Sequence, residues 1–123
     1  MPKGYLEHAN VTVSDPQRSS ALMQALCGWK ERWSGPSRLG GQTIHVGDEA
    51  HYIAFYTAGP VARRYSKGQP LNHLAVVVDD LDTAEQAVRD AGLEPGERDV
   101  YEPGQRFYFF DWDGIEFEVV SYE

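Results

Sequence analysis

Nothing in these 123 residues is apolar for long enough to cross a membrane as a helix; no uninterrupted hydrophobic run approaches the roughly 20 residues a bilayer requires. Cysteine is nearly absent. The single Cys27 excludes a disulfide within one chain and fits a reducing cytoplasm. Cationic side chains are also scarce, with 11 Lys and Arg against 19 Asp and Glu and a formal charge of −8. Nucleic acid and anionic lipid present phosphates that need compensating Lys and Arg, so neither is an expected partner. The opening Met1-Pro2-Lys3-Gly4-Tyr5 lacks the apolar stretch of a signal peptide, which gives a cytoplasmic expectation. Core-forming material is not lacking: hydrophobic residues make up 41%, enough for one compact domain of this length.

What is present is an internal repeat. Residues 8–15 read His-Ala-Asn-Val-Thr-Val-Ser-Asp, and residues 73–80 read His-Leu-Ala-Val-Val-Val-Asp-Asp. The shared pattern is H-x-x-V-x-V-x-D at an offset of 65 residues, and a repeat of this kind sets the architecture. Each copy runs into a helical pattern. Asp15 caps the first, Pro16 sits at its first position, Ala21, Leu22, Ala25 and Leu26 form its apolar stripe, and Gly28 ends it. Asp80 or Asp82 caps the second, Ala84, Ala87, Val88 and Ala91 form its stripe, and Gly92 closes it. Three strand candidates follow each helix, at about 29–34, 42–46 and 51–57, then at about 93–101, 105–111 and 115–122. Turn residues such as Gly40-Gly41, Gly47-Asp48 and Asp113-Gly114 separate them. The expected fold is α+β, two βαβββ modules in one domain, with module one over about 5–57, a linker over 58–70 and module two over 71–123. A pair of ferredoxin-like units competes, but each half here ends in a β-hairpin rather than a second helix.

Strand parity then sorts the side chains, because alternate residues face opposite sides of a sheet. Ala9, Val11 and Val13 form one apolar face, Leu74, Val76 and Val78 another, and Ile115, Phe117 and Val119 a third. His8, His73 and Glu118 all point away from those faces. Two imidazoles and a carboxylate on one side fit a divalent-metal site of the two-His-one-carboxylate kind, which leaves coordination positions open to substrate. The two His residues carry weight because they occupy equivalent places in the repeat. Glu116 reads as a solvated strand carboxylate. The first-half counterpart of Glu118 falls at residue 53 or 54; Ala54 has the right parity, shares its face with Tyr52 and Tyr56, and has no donor atom.

On these residues the chain resembles the vicinal-oxygen-chelate superfamily of glyoxalase I, bleomycin-resistance and extradiol-dioxygenase proteins. The matching segments are L-E-H-A-N-V-T-V-S-D-P around His8, L-N-H-L-A-V-V-V-D-D-L around His73 and F-Y-F-F-D-W-D-G-I-E-F-E around Glu118. The last is similar to the superfamily's Y-F-x-D-P-D-G-N-x-x-E, with Trp112 in place of Pro and Ile115 in place of Asn. The resemblance implies one divalent metal, with Fe(II) or Mn(II) favoured and Zn(II), Ni(II) or Co(II) as alternatives. It implies a small-molecule substrate that chelates the metal through adjacent oxygens. Glyoxalase I proteins usually carry a fourth ligand, a Glu, where Ala54 stands, so a glyoxalase I-like lyase ranks below an extradiol-dioxygenase-like activity. A fosfomycin-type thiol transferase shares the ligand triad and is a further alternative. Bleomycin-binding members lack the triad, which sets a non-catalytic binding role last. A homodimer is expected, because related proteins pair modules between chains.

Two further residues are catalytic candidates. Tyr108 lies on the face of Arg106 and Phe110, where a phenol near the metal orients a substrate oxygen or acts as an acid. His45 has the parity of Thr43 and is a candidate base; His51, across the Gly47-Asp48 turn, is the weaker alternative. Trp29 and Trp33 share a strand face and suit an aromatic pocket or the core. Arg63, Arg64 and Lys67 form a basic cluster in the linker. Asp111 and Asp113 read as turn residues, and Cys27 as a buried thiol rather than a nucleophile.

Overall fold

The computed structural model describes residues 2–37, 40–59, 66, 68, 70–100 and 102–123. Arg63, Arg64, Lys67 and most of the 58–70 linker lie outside the described residues. The chain divides into two compact units, one of Met1–Gln24 with Gly28–Val61 and one of Ala25–Cys27 with Ala62–Glu123.

Unit one holds β1 (His8–Thr12), the helix α1 (Pro16–Cys27, apart from its last three residues), β2 (Lys30–Pro36), β3 (Gln42–Gly47) and β4 (Tyr52–Thr57). Its four strands are ordered β1-β4-β3-β2, with β1 parallel to β4 and the rest antiparallel. Cross-strand pairing places Ala9, Ile53 and Val46 in one row and Val11, Phe55 and Ile44 in the next. These rows form the buried face, with Phe55 and Val46 almost wholly enclosed. The Asp15 side chain accepts from Arg18 N–H at 3.2 Å, leaving Pro16 where no N–H is needed. Gly28 closes the helix in the left-handed region at φ 67°, its N–H reaching Gln24 O, a conformation that a side chain disfavours. The buried side of α1 is Ser19, Ser20, Leu22, Met23 and Leu26; Ala21 and Ala25 are exposed, so the expected alanine stripe is one position out of phase.

Unit two holds β5 (Leu74–Val77), α2 (Leu81–Asp90), β6 (Gln105–Phe110) and β7 (Glu116–Ser121). Its sheet runs β5-β7-β6, with β7 parallel to β5 and antiparallel to β6. Phe107, Phe109, Phe117 and Val119 fill one face, and the Phe109 and Phe117 rings stack at 5.3 Å. Asp80 caps α2 through Asp82 N–H and Thr83 N–H. Leu93 N–H bonds Val88 O and Gly92 N–H bonds Arg89 O, the paired closure that a left-handed glycine permits.

The second module departs from the expected βαβββ order. Among the described residues, the strand anticipated at 93–101 is reduced to an isolated bridge between Asp99 and Arg106. Pro95 has no N–H to donate and Gly96 has little strand preference, so the segment gives β6 only scattered bonds, such as Gly96 N–H to Tyr108 O at 2.8 Å. Arg98 ties the segment to α2 instead, through Asp82 and through two bonds to Glu85 at 2.9 and 3.1 Å. Glu116 also differs from expectation. As the first residue of the central strand it is buried, not solvated, as are all six residues of β7.

Candidate metal centre

His73 sits one residue before β5, and Glu118 lies in the middle of β7, opposite Ala75 on one side and Tyr108 on the other. The structure brings the two together: His73 Nε2 is 2.9 Å from Glu118 Oε1. Two donors held at right angles, each about 2.1 Å from one ion, stand about 3 Å apart. The observed spacing is that of an ion pair and also fits neighbouring ligands on a divalent metal. The His73 Nδ1 donates to Asn72 Oδ1 at 2.8 Å, which leaves Nε2 to face the carboxylate. A fixed outer partner of this kind sets the tautomer of a metal-binding imidazole. Tyr108 meets His73 edge to face, with ring centroids 5.5 Å apart, so this catalytic candidate flanks the pair.

The other carboxylate oxygen of Glu118 is also engaged. Arg106 Nη1 donates to Oε2 at 3.0 Å, and Arg106 Nη2 donates to Pro103 O. Both charged side chains are nearly buried, at 12% and 10% exposed. Sequence parity had put Arg106 on this face without a role. Its position diagonal to Glu118, opposite Val120, was the available signal.

His8 belongs to unit one, where it repeats the arrangement of His73. Its Nδ1 donates to Glu7 Oε1 at 2.8 Å, again the residue immediately before it, so the repeat extends one position upstream of the two imidazoles. Among the described residues no three His, Cys, Asp or Glu side chains gather into one metal-holding group. The structure unites His73 and Glu118 within unit two, and His8 has neighbours of its own within unit one. Those neighbours are aromatic. His8 stacks on Tyr52 at 4.7 Å, Tyr52 stacks with His45 at 4.6 Å, and His45 lies 5.1 Å from Trp33, a row of rings across β1, β4, β3 and β2. Gly47, paired with Tyr52, makes the row possible: a Cβ there would lie 2.5 Å from Tyr52 Cβ.

Arg32 joins the row through an irregularity. The register of β2 on β3 shifts between Glu31 and Trp33, and this bulge breaks the alternation on which the shared face of Trp29 and Trp33 rested. The Arg32 guanidinium lies over the Tyr52 ring, 4.3 Å from its centroid. A cavity of about 600 Å³ opens beside it, lined by Trp29, Lys30, Arg32 and the Gly47–Glu49 turn. Partial burial and the neighbouring His8 and Arg32 hold the His45 imidazole below its ordinary pKa, against a smaller opposing effect of Glu7. His45 is therefore neutral at neutral pH and competent to accept a proton. His51 lies apart from the row, exposed on the turn, with its Nδ1 3.7 Å from Asp48 and its ring edge-on to Tyr5. Burial pushes the Cys27 thiol up to about 12, the expected inert state.

Pairing also identifies the counterpart of Glu118. Asn10 faces Ala54 as Ala75 faces Glu118, and His45 faces Ala54 as Tyr108 faces Glu118. Ala54 is the equivalent position, and the two catalytic candidates are equivalents of one another.

The family model of the glyoxalase/bleomycin resistance protein/dioxygenase superfamily matches residues 5–119. The chain belongs to that superfamily. No curated protein matches it. Among solved structures, a glyoxylase/bleomycin resistance protein/dioxygenase domain from Frankia sp. EAN1pec is 20% identical, with 98% of each chain covered and a TM-score of 0.80. The fosfomycin resistance protein FosX from Mesorhizobium loti is 23% identical over 98% of this chain and 93% of that one, with a TM-score of 0.70. A FosX variant from Listeria monocytogenes, complexed with Mn(II) and 1S,2S-dihydroxypropylphosphonic acid, is 20% identical with a TM-score of 0.72, covering 98% of this chain and 93% of that one. These likenesses establish the superfamily's fold for the present chain. No helix among its described residues is long and apolar enough to cross a membrane.

Proposed function

We propose that this superfamily member is a divalent-metal-dependent enzyme, with His8, His73 and Glu118 as ligands, acting on a small substrate that chelates the metal through adjacent oxygens. The observation that carries the reading is the 2.9 Å approach of His73 Nε2 to Glu118 Oε1, with Nδ1 already bonded to Asn72. When bound, the metal supplies Lewis acidity for negative charge developing on a substrate oxygen. The chain's own groups do the rest. Tyr108, beside His73, orients or protonates a substrate oxygen, and neutral His45 accepts a proton. The ring row of unit one supports a planar, catechol-like substrate and hence an extradiol-dioxygenase-like reaction. His8 is supplied by one subunit of a homodimer, and His73 with Glu118 by the other. The test is metal analysis of the purified protein, then anaerobic loading with Fe(II) and a screen of catechols with O₂. Ring cleavage that His73→Ala abolishes is the expected result; stoichiometric metal without turnover of any catechol rejects the dioxygenase reading.

A second reading is fosfomycin-type chemistry. It is supported by the fold shared with FosX and by the Mn(II) in that neighbour. Arg32, exposed above Tyr52, offers a cation for an anionic substrate group. Mn(II)-dependent consumption of fosfomycin, with thiol or water as the nucleophile, distinguishes it.

A further inference from the structure

The Glu118 carboxylate is bridged: Oε1 faces His73 Nε2 at 2.9 Å while Oε2 accepts from Arg106 Nη1 at 3.0 Å. Arg106 is itself anchored at a second point, because Nη2 donates to Pro103 O in the turn before β6. Its backbone is fixed as well, since Arg106 exchanges hydrogen bonds with Asp99 at 2.8 and 3.1 Å. A guanidinium held at backbone and fork is not free to follow a moving carboxylate. With a planar fork and a buried site, the pair keeps one orientation.

We propose that Arg106 is a positioning residue that confines Glu118 to coordination through one oxygen and so keeps a coordination position open for substrate. The inference rests on the reading of His73 and Glu118 as metal ligands. A carboxylate whose two oxygens are both free closes on a divalent ion through either one or both, and two-oxygen binding consumes a site that a chelating substrate needs. Here Oε2 is committed to Arg106, so only Oε1 is available. The guanidinium also offsets part of the carboxylate charge, which moderates the hold on the ion. Thr43 stands at the corresponding position of unit one, bonded to Ser37 at 2.6 Å, and no carboxylate needs restraint there because Ala54 replaces it.

The sign of the effect separates this role from a merely structural one. Loss of an ordinary outer partner weakens metal binding, whereas loss of this one frees Oε2 and tightens it. Mn(II) binding is followed by the electron paramagnetic resonance of the free ion, and the waters on the bound ion by solvent proton relaxation. In Arg106→Gln the dissociation constant is expected to fall by about tenfold, the lower end of outer-partner effects but in the opposite direction. The number of exchangeable waters on bound Mn(II) is expected to drop by about one, as a second carboxylate oxygen takes a position. Arg106→Lys keeps the charge but not the second anchor, and should tighten binding by about threefold. If Arg106→Gln does not fold, as judged by circular dichroism, Arg106→Lys decides alone. Weaker binding in a folded variant, or tighter binding with the water number unchanged, overturns the proposal. Absence of Mn(II) binding to the wild-type protein overturns the ligand assignment itself, and this inference with it; wild-type binding lost in His73→Ala but unaffected by either Arg106 variant overturns only the role of Arg106.

Discussion

The two units use the same strand positions for different chemistry. Where unit two has Glu116, Glu118, Tyr108 and Arg106, unit one has Tyr52, Ala54, His45 and Thr43. Unit two buries a carboxylate and holds it between an imidazole and a guanidinium. Unit one covers the same face with stacked rings and a cation over Tyr52. A carboxylate needs charge partners to be buried, whereas a ring needs only surface against which to stack. On one duplicated backbone, unit two carries a charge-paired carboxylate and unit one a row of stacked rings, with the imidazole and its upstream acceptor present in both.

The largest effect that separates the faces is metal binding. His73→Ala and Glu118→Ala should each lower metal affinity by more than the 10- to 100-fold, roughly, that loss of an outer partner causes. Glu118→Ala should also cost roughly 1–3 kcal/mol of stability, because the largely enclosed Arg106 loses its carboxylate partner. Titration with Mn(II) and denaturant unfolding check both. Tyr52→Leu, at the position that corresponds to Glu116, removes the ring on which His8 stacks and should weaken binding less than His73→Ala does, by no more than the roughly 10-fold at the low end of outer-partner effects. A drop as large as that of His73→Ala would erase the distinction between the units.

Complementation is the next test. His8→Ala and Glu118→Ala chains, inactive separately, should regain one intact site per heterodimer when mixed and re-annealed. Recovery of about a quarter of wild-type activity from an equal mixture is expected if exchange is random and each dimer holds two sites. No recovery despite demonstrated subunit exchange places all three ligands within one chain.

Ala54→Glu would make the units alike. A carboxylate there lies opposite His45 and has no guanidinium in the place of Arg106. The buried Ala54 site should lose about 1–3 kcal/mol from overpacking, and more from enclosing a carboxylate without a guanidinium beside it. Metal affinity should rise and turnover fall if the new group reaches the ion; unchanged affinity and turnover in a folded variant would show that the paired positions are not functionally equivalent.

The smaller effects are in titration. Since His45 is held below the ordinary imidazole range, it should stay more neutral than an ordinary histidine as the pH falls through 6.5, and an activity that uses it as base should persist to lower pH than an ordinary histidine would allow. Nuclear magnetic resonance titration of its ring checks the direction; a midpoint above 6.5 contradicts it. Cys27, with its thiol near 12, should be only about one part in ten thousand thiolate at pH 8 and react correspondingly slowly with iodoacetamide. Labelling at the rate of a free cysteine would show that it is not shielded.

Much of this was legible in the sequence where one strong signal acted alone. The Asp-Pro start of α1, the glycine after it and the H-x-x-V-x-V-x-D repeat each follow from local chemistry. Parity placed His45 with Thr43 and Tyr108 with Arg106 on the faces where they are found. The strand at 93–101 failed because a turn-rich stretch with Pro95 and Gly96 was read for its flanking apolar residues, while Arg98 holds it to α2. Glu116 and Arg106 were misread or passed over for one reason: alternation reports which way a side chain points, not whether that side is wet. Both faces of β7 are buried, the one that holds Glu118 beside the His73 and Arg106 side chains, which alternation along a single strand does not report. Arg32 was hidden by a one-residue register shift, which no alternation pattern announces.

That register shift bears on more than where Arg32 points. β2 is an outer strand of its sheet, with one row of backbone donors and acceptors facing no neighbour in that sheet. A straight outer strand invites an alien strand to extend the ladder, the first step toward a fibre. The bulge interrupts the even spacing such an intruder must match, and Lys30, Glu31 and Arg32, all exposed, add charge where it would dock. Exposed rings such as Trp33 on an outer strand would add to that hazard, and the kink beside them works against such pairing.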